Sequence, residues 1–235
     1  GIVVALADKM ETLFGLFGID QAPTGDKDPF ALRRHALGVI RILSESGLDL
    51  PLNDLLNSVS SVFGSAVFTD GVQPTRKPAG TYATLTTGAR INEATADVVA
   101  AFMFERLAHN LREQGYSAHE VDAVVSLRPK LLSDIPRRLA AVHIFAELPE
   151  AASLAAANKR IVNILKKAGK EYANAEAARL AEPAERSLFE ALQKVRPAVE
   201  ACFKKHDYTG ALQRLAALKQ PVDAFFDQVM VMADD

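Results

Sequence analysis

Apolar residues recur every three to four positions along most of this chain, which is the spacing of amphipathic α-helices. Short clusters of Gly, Pro and Asp separate one periodic run from the next. The pattern predicts helices at residues 2–17, 28–46, 53–63, 93–115, 132–148, 149–168, 183–205, 210–218 and 221–232, with a short helix opening at Ser117. Because short loops join antiparallel neighbours, the predicted fold class is all-α, a helical bundle.

Several helix ends carry local signals. Asp28 followed by Pro29 is typical of a helix start, since the first helical N–H has no intrahelical partner and Pro lacks that group. Ser117 with Glu120 three positions later predicts a capping box. Gly47 follows the last periodic residue of its run, where a glycine commonly ends a helix.

Residues 65–92 interrupt the helical pattern. They contain three Gly, two Pro and many Thr, and residues 81–87 have some strand propensity, so we predict a linker or insertion with a short hairpin. The predicted domains are therefore 1–64 and 93–235, with the linker at 65–92 between them. Long surface insertions add little closure entropy, so we expect the linker to be dispensable for folding.

The composition is that of a soluble globular protein, with 235 residues, 49% hydrophobic and 24% charged. A net charge of −2 gives no global attraction to nucleic acid, so any RNA contact must come from a local patch. The single cysteine, Cys202, excludes an internal disulfide and a Cys-based zinc cluster, and fits a reducing compartment. No apolar run reaches the roughly 18–20 residues of a membrane span, and the start lacks a signal-peptide pattern. The chain opens directly in a helical pattern and ends just after an apolar helix, so we predict that it is a fragment of a longer protein.

The helix predicted at 149–168 separates apolar from basic positions. At about 100° per residue, one face collects the apolar side chains and is predicted to be buried. Its members are Leu154, Ala157, Ile161, Ile164, Leu165 and Ala168. The opposite face, which we call the basic arc, consists of Lys159, Arg160, Asn163, Lys166 and Lys167.

Further cations precede this helix, at Arg128, Lys130, Arg137 and Arg138. Residues 127–170 hold nine Lys or Arg against three acidic residues, in a chain that is slightly acidic as a whole. Such a patch suits a phosphate backbone, because each neutralised phosphate releases counterions. The alternative is an ordinary solvated helix face, on which Lys166 and Lys167 favour the negative end of the helix dipole.

The helix predicted at 28–46 has a broad apolar face and one anomalous cation. The face comprises Phe30, Leu32, Ala36, Leu37, Val39, Ile40 and Leu43. Arg33 projects between Leu37 and Ile40, so its guanidinium needs a partner if it is covered, and Asp8, Asp26 or Asp28 could serve. Arg34 lies on the polar edge. Arg33 either extends to solvent, makes such a structural contact or contacts an RNA phosphate, and Arg34 is a further candidate for RNA contact.

Catalytic and metal-binding patterns are not found in the sequence. The five His are scattered and make no HxxxH or HExxH spacing, the phosphate-loop motif GxxxxGK[ST] does not occur, and Cys202 has no identifiable catalytic His. The chain has no Trp, and its Phe and Tyr lie mostly at core spacing, so no stacking platform for single-stranded RNA is apparent. We therefore predict no catalytic residue, no metal and no cofactor in this chain.

Three runs in order resemble a known family. They are GDKDPFALRRHALGVIRIL at 25–43, AAANKRIVNILKKAG at 155–169 and PVDAFFDQVMVMADD at 221–235. They resemble the C-terminal part of the beta subunit of the bacterial tetrameric glycyl-tRNA synthetase. The resemblance covers about 1–64 and 93–235; residues 65–92 look longer than in that family, and its final helix is absent.

The resemblance implies an HD-type helical domain ending at residue 64. It also implies a helical anticodon-binding domain at 93–235, named for an Asp-Ala-Leu-Arg motif and truncated here at its C-terminus. The motif itself is absent. Phe30-Ala31-Leu32-Arg33 matches it only in part and lies outside that domain. The His ligands of an HD-type metal site are absent too, so Asp8 has no predicted catalytic role.

In function, the resemblance implies a cytoplasmic class II enzyme of two alpha and two beta subunits. Glycine, ATP and Mg²⁺ would bind to the alpha subunit, where glycine is activated. This part of the beta subunit would capture tRNA(Gly) and would bind neither DNA nor membrane. Its partners would be tRNA(Gly), the alpha subunit and the remainder of the beta subunit. Two alternatives remain at this point, a non-catalytic scaffold that docks other subunits and a metal-dependent phosphohydrolase.

Overall fold

The computed structural model describes residues 1–65, 94–169 and 177–229. These residues form ten α-helices and two 3-10 turns, and their only β-type pairings are two isolated bridges. The predicted all-α fold class is thereby confirmed. The predicted linker and its hairpin lie outside the described residues, apart from Ser65.

The chain divides into two compact units, Gly1–Ile135 and Pro136–Asp235. The first contains α1 (Ile2–Gly18), α2 (Leu32–Glu45), α3 (Leu52–Ser65), α4 (Thr95–Glu113) and α5 (Ala118–Val125). A 3-10 turn at Leu132–Asp134 precedes α6 (Ile135–Ala146), where the first unit ends and the second begins. The second continues with α7 (Ala151–Ala168), a 3-10 turn at Ala177–Arg179, α8 (Pro183–Lys204), α9 (Tyr208–Ala216) and α10 (Lys219–Gln228).

The first unit is built around α1, which packs against α2, α3 and α4. Its core contains Leu13, Leu32, Leu43 and Met103, each 1% exposed or less. Helices α4 and α5 thus belong to the same compact unit as α1, although the sequence places them in the second predicted domain. The reason is that α4 has apolar positions that fit α1 and α2, a pairing that periodicity along the chain does not specify.

Helix α2 begins later than predicted. Residues 29 and 30 form a turn, Ala31 has a left-handed φ of 54°, and the helix starts at Leu32. Asp28 still caps it, because its two carboxylate oxygens accept from the backbone N–H groups of Leu32 at 2.7 Å and Arg33 at 3.0 Å. Phe30 therefore lies outside the helix and is 43% exposed, so its assignment to the apolar face was wrong.

Other helix ends lie close to the predicted positions. The capping box of α5 is confirmed, since the Ser117 hydroxyl accepts from the Glu120 backbone and the Glu120 carboxylate accepts from the Ser117 N–H. Helix α9 begins two residues before the predicted Gly210, because the Asp207 carboxylate accepts from the Gly210 N–H at 2.8 Å. The predicted end of the last helix, at residue 232, lies outside the described residues.

In the second unit α8 packs against α9 and α10, and α10 also packs against α7. Val199 and Cys202 of α8 are buried with Ala211 of α9, and Val195 and Leu215 pack around them. Cys202 is a free, buried thiol, as the sequence predicted. The packing of α10 on α7 positions the basic arc.

None of the described helices is by itself long and apolar enough to cross a membrane. Two helical segments, Leu132–Ala146 and Ala151–Ala168, are long and apolar enough only when they are taken together, and they are bent by 111° at the break between them.

Candidate nucleic-acid interface

Helix α7 is attached to α10 by a polar cluster centred on Asp223. The Ser153 hydroxyl donates to Asp223 Oδ1 at 2.7 Å, and the Lys219 ammonium donates to Asp223 Oδ2 at 2.5 Å. The hydrogen bond from Lys219, followed by that from Ser153, holds the pKa of Asp223 below its ordinary value. The same hydrogen bond and the charge of Asp223 raise the pKa of Lys219. Both shifts favour the ionised cluster that joins the two helices.

A second contact between these helices orients a member of the basic arc. The guanidinium carbon of Arg160 lies 4.3 Å from the ring centroid of Phe226 on α10. A cation over an aromatic face is attracted by the ring quadrupole, with a contribution of about 0.5–1 kcal/mol at exposed sites. Arg160 remains exposed in this position, so its N–H groups can reach a ligand while its plane is held.

Four members of the basic arc line one open concavity of about 380 Å³, together with Ala156 and Ile164. They are Lys159, Arg160, Asn163 and Lys167. The structure thus brings together three cations and an amide that can both donate and accept hydrogen bonds. Lys166 is exposed on the same helix but does not line the concavity. Cations placed around an open concavity in this way can reach phosphate and sugar oxygens.

The predicted buried stripe of α7 was wrong in part. Ile161 is 40% exposed and Leu165 48%, and Val162 beside them is 39% exposed. Leu154, Ala157, Ile164 and Ala168 are half-buried, and only Ala151 of this helix is fully buried among the described residues. The physical reason is that α10 packs along the edge between the basic arc and the apolar stripe, through Ser153 and Arg160. Periodicity predicts an apolar face, but it does not predict what covers that face.

The cations upstream of α7 are divided between the two compact units. Arg128 and Lys130 belong to the first unit, where Arg128 is exposed with a left-handed φ of 44°. The Lys130 side chain is exposed, while its carbonyl accepts from the Leu52 N–H at 3.0 Å. Arg137 and Arg138 belong to the second unit. A surface that joins all four cations to the basic arc stays a prediction.

Arg138 is half-buried in a cluster of its own. Its guanidinium carbon lies 4.5 Å from the ring centroid of Tyr208, and its Nη2 donates to the Tyr208 hydroxyl at 3.2 Å. Tyr208 is only 8% exposed, so this pairing fixes α9 against α6. Arg137, the neighbouring residue, is exposed.

Arg33 and Arg34 occupy different environments in the first unit. Arg33 is half-buried and its Nη2 donates to the carbonyl of Gly25, so the partner of its guanidinium is this carbonyl and not the carboxylate of Asp8, Asp26 or Asp28. This bond ties the loop before α2 to the start of the helix. Arg34 is exposed. The contact of either arginine with RNA stays a prediction.

Two features of the second unit are not apparent from the sequence. One is the stacking of Arg160 on Phe226, because the two residues are far apart in the chain. The other is Phe203, which is 48% exposed at the end of α8 although it lies in a helical run with core spacing. The cations beside it, Lys204 and Lys205, are the only signal that could have marked it. Within the described ranges, no group of three or more His, Cys, Asp and Glu side chains could hold a metal ion.

Comparison with known proteins gives two family matches. A family model described as glycyl-tRNA synthetase beta subunit matches residues 1–126. A second, described as DALR anticodon binding domain, matches residues 154–235 and therefore includes most of α7 and all of α10. These matches confirm the resemblance to that synthetase family.

Individual relatives match over the whole chain. The chain is 56% identical to the glycine–tRNA ligase beta subunit of Leptothrix cholodnii, 55% identical to that of Thiobacillus denitrificans and 53% identical to that of a Janthinobacterium species. Each alignment covers 100% of this chain and 30% of the relative. The chain thus spans somewhat less than a third of the length of the curated relatives that it matches.

Proposed function

Because the chain belongs to the glycyl-tRNA synthetase beta-subunit family, we propose that it is the part of a glycine–tRNA ligase that captures tRNA(Gly). One observation carries this proposal. Lys159, Arg160, Asn163 and Lys167 line a single concavity on α7, within the segment that matches the anticodon-binding family. Arg160 is held there by Phe226.

The role of these residues is binding and orientation. Lysines act as point charges toward phosphate oxygens, whereas the planar guanidinium of Arg160 can pair with a phosphate in a bidentate way. Attachment of α7 to α10 through Asp223 keeps the arc in one geometry, so less ordering is needed when RNA binds. Holding the tRNA in a fixed position raises the rate of a reaction elsewhere by removing translational and rotational freedom beforehand.

In the whole enzyme, this positioning would present the acceptor end of tRNA(Gly) for ATP-dependent glycylation on the alpha subunit. ATP and Mg²⁺ would bind there and not to this chain. The partners are then tRNA(Gly), the alpha subunit and the remainder of the beta subunit, in the cytoplasm. The predicted contacts of Arg33, Arg34, Arg128, Lys130, Arg137, Arg138 and Lys166 with tRNA are part of the same proposal.

A second function is favoured by a different observation. Ile161 and Leu165 are exposed apolar residues on the side of α7 opposite the basic arc, and the exposed Val162 lies between them and the arc. Exposed apolar residues of this kind suit contact with another protein surface, as expected of a scaffold that docks synthetase subunits. Ile161 and Leu165 would serve this second function on the face of α7 opposite the basic arc.

The test is a titration of the chain with tRNA(Gly) and with a non-cognate tRNA, each at two salt concentrations. Capture by a phosphate-binding surface predicts binding that weakens steeply as salt rises. A preference for tRNA(Gly) at both salt concentrations would show that the chain also recognises bases or shape, in addition to the electrostatic attraction to phosphate. No binding to either tRNA at the lower salt concentration would reject tRNA capture and leave the scaffold.

A further inference from the structure

The end of α8 exposes an aromatic ring beside three polar or cationic side chains. We propose that this corner, which consists of Phe203, Lys204, Lys205 and His206, stacks one unpaired RNA nucleobase on the Phe203 ring. The lysines would contact the phosphates on either side of that base. The inference rests on the proposed function and adds to it a second RNA contact, on a helix other than α7.

The Phe203 ring is both exposed and supported. Its side chain is 48% exposed, and its centroid lies 5.9 Å from that of Tyr208, with an angle of 70° between the ring planes. In this edge-to-face arrangement the edge of one ring contacts a face of the other, so the contact covers at most one face of each ring. Part of the Phe203 π-surface is therefore free of its supporting ring. Every base has a π-face that can stack on such a surface, whatever its sequence.

The support beneath Phe203 is rigid. Tyr208 is 8% exposed, and its hydroxyl contacts both Arg138 Nη2 at 3.2 Å and His206 Nδ1 at 3.3 Å. The backbone of the corner is closed by hydrogen bonds from the N–H groups of Lys205 and Asp207 to the Cys202 carbonyl, at 3.0 and 2.9 Å. A preformed platform costs little side-chain ordering when a base binds.

The charges at the corner favour RNA over an apolar partner. Lys204, Lys205 and His206 are all exposed, and they follow Phe203 directly in the chain. Of the acids next to this corner in the sequence, Asp207 is engaged in capping α9, and Glu200 lies one turn before Phe203. A single aromatic ring flanked by lysines lacks the contiguous apolar area that marks a protein-docking surface. Aromatic rings next to cations are instead the combination found where proteins bind single-stranded nucleic acid.

The chain contains no Trp, so Phe203→Trp introduces a unique fluorophore at the platform. The variant would be titrated with tRNA(Gly), with a single-stranded heptaribonucleotide and with an RNA duplex of the same length, each carrying a fluorescent label. Stacking predicts that tryptophan emission falls on binding of the tRNA and the single strand but not of the duplex. Anisotropy of the label reports binding independently.

Leu192→Trp is the matched control. Leu192 is 41% exposed on α8, eleven residues before Phe203, which places it on the same helix face about 16 Å away. Its emission should not change. Phe203→Ala should weaken binding of the single strand about 5- to 150-fold, the range measured for removal of a stacking ring. The dependence of affinity on salt should stay the same, because an uncharged contact releases no counterions, whereas Lys204→Ala should reduce it.

The outcomes separate this inference from the proposed function. If tRNA(Gly) raises the anisotropy while Phe203→Trp emission stays constant, the corner is not a stacking site and tRNA capture stands. If none of the three RNAs changes either signal, both proposals are rejected. If emission falls equally with duplex and single strand, the ring does not select an unpaired base and the inference is wrong.

Discussion

The guanidinium carbon of Arg160 on α7 lies 4.3 Å from the ring centroid of Phe226 on α10. The sequence assigns these residues to separate runs, one basic and one apolar, and the fold brings them together. As a result, an aromatic side chain of α10 determines the direction in which a cation of the proposed RNA surface points. Phe226 is therefore a positioning residue, whose effect on RNA should operate through Arg160.

Replacing Phe226 by Leu tests this relationship, because Leu retains apolar bulk but has no π-face. We expect affinity for tRNA(Gly) to fall about two- to fivefold, corresponding to a cation–π contribution of about 0.5–1 kcal/mol. In an Arg160→Ala background the same change should have no further effect. An equal loss in both backgrounds would show that Phe226 acts independently of Arg160.

Asp223→Asn should lower the melting temperature at pH 7, since it removes the charged acceptor shared by Lys219 and Ser153. The pKa of Asp223 is lowered in the folded chain, so its stabilisation is present above the ordinary carboxyl pKa and is lost as the pH falls through the folded value. The difference in melting temperature between the two proteins should therefore begin to shrink below about pH 4 and disappear below the lowered pKa of the folded protein. Asp227→Asn, on the exposed side of α10, is the control. A difference that persists unchanged at pH 2 would contradict this assignment.

Asp28→Ala should reduce the free energy of unfolding by about 1 kcal/mol, because it removes the side chain that accepts from two N–H groups at the start of α2. Urea denaturation followed by circular dichroism measures the change. The nearby Asp26→Ala alters an exposed carboxylate and should leave the stability within about 0.5 kcal/mol. Equal effects of the two substitutions would argue against the cap.

The isolated chain should catalyse no glycine-dependent ATP–pyrophosphate exchange. The proposed function assigns this chain to RNA capture and assigns ATP chemistry to the alpha subunit. Exchange activity that copurifies with the chain, and that disappears on substitution of one of its residues such as Asp8 or Arg33, would contradict the assignment of ATP chemistry to the alpha subunit.

Features set by neighbouring residues could be predicted from the sequence. The capping box of α5 needs only Ser117 and Glu120 in one turn, so its geometry follows from their spacing. The all-α class follows from periodicity that recurs in every helix. The start of α2 could not be read in this way, because Asp28 caps from four residues away and Ala31 adopts a left-handed conformation that its side chain does not favour.

The candidate site was predicted only in part, for a physical reason. Spacing along α7 correctly grouped Lys159, Arg160, Asn163 and Lys167 on one face, where they line one concavity. Spacing could not predict which helix packs on α7, or along which edge. The packing of α10 leaves Ile161 and Leu165 exposed. The aromatic partner of Arg160 depends on that tertiary packing alone.

The salt dependence of tRNA(Gly) binding tests the central claim most directly. If the basic arc binds the phosphate backbone, changing both Lys159 and Lys167 to Ala should weaken binding, and the slope of log K against log salt should fall by roughly one for each phosphate that is no longer neutralised. Helix content should not change. Lys194→Ala, at an exposed position of α8, should leave the slope as it was. An unchanged affinity and slope in the double variant, with tRNA still bound, would contradict the account.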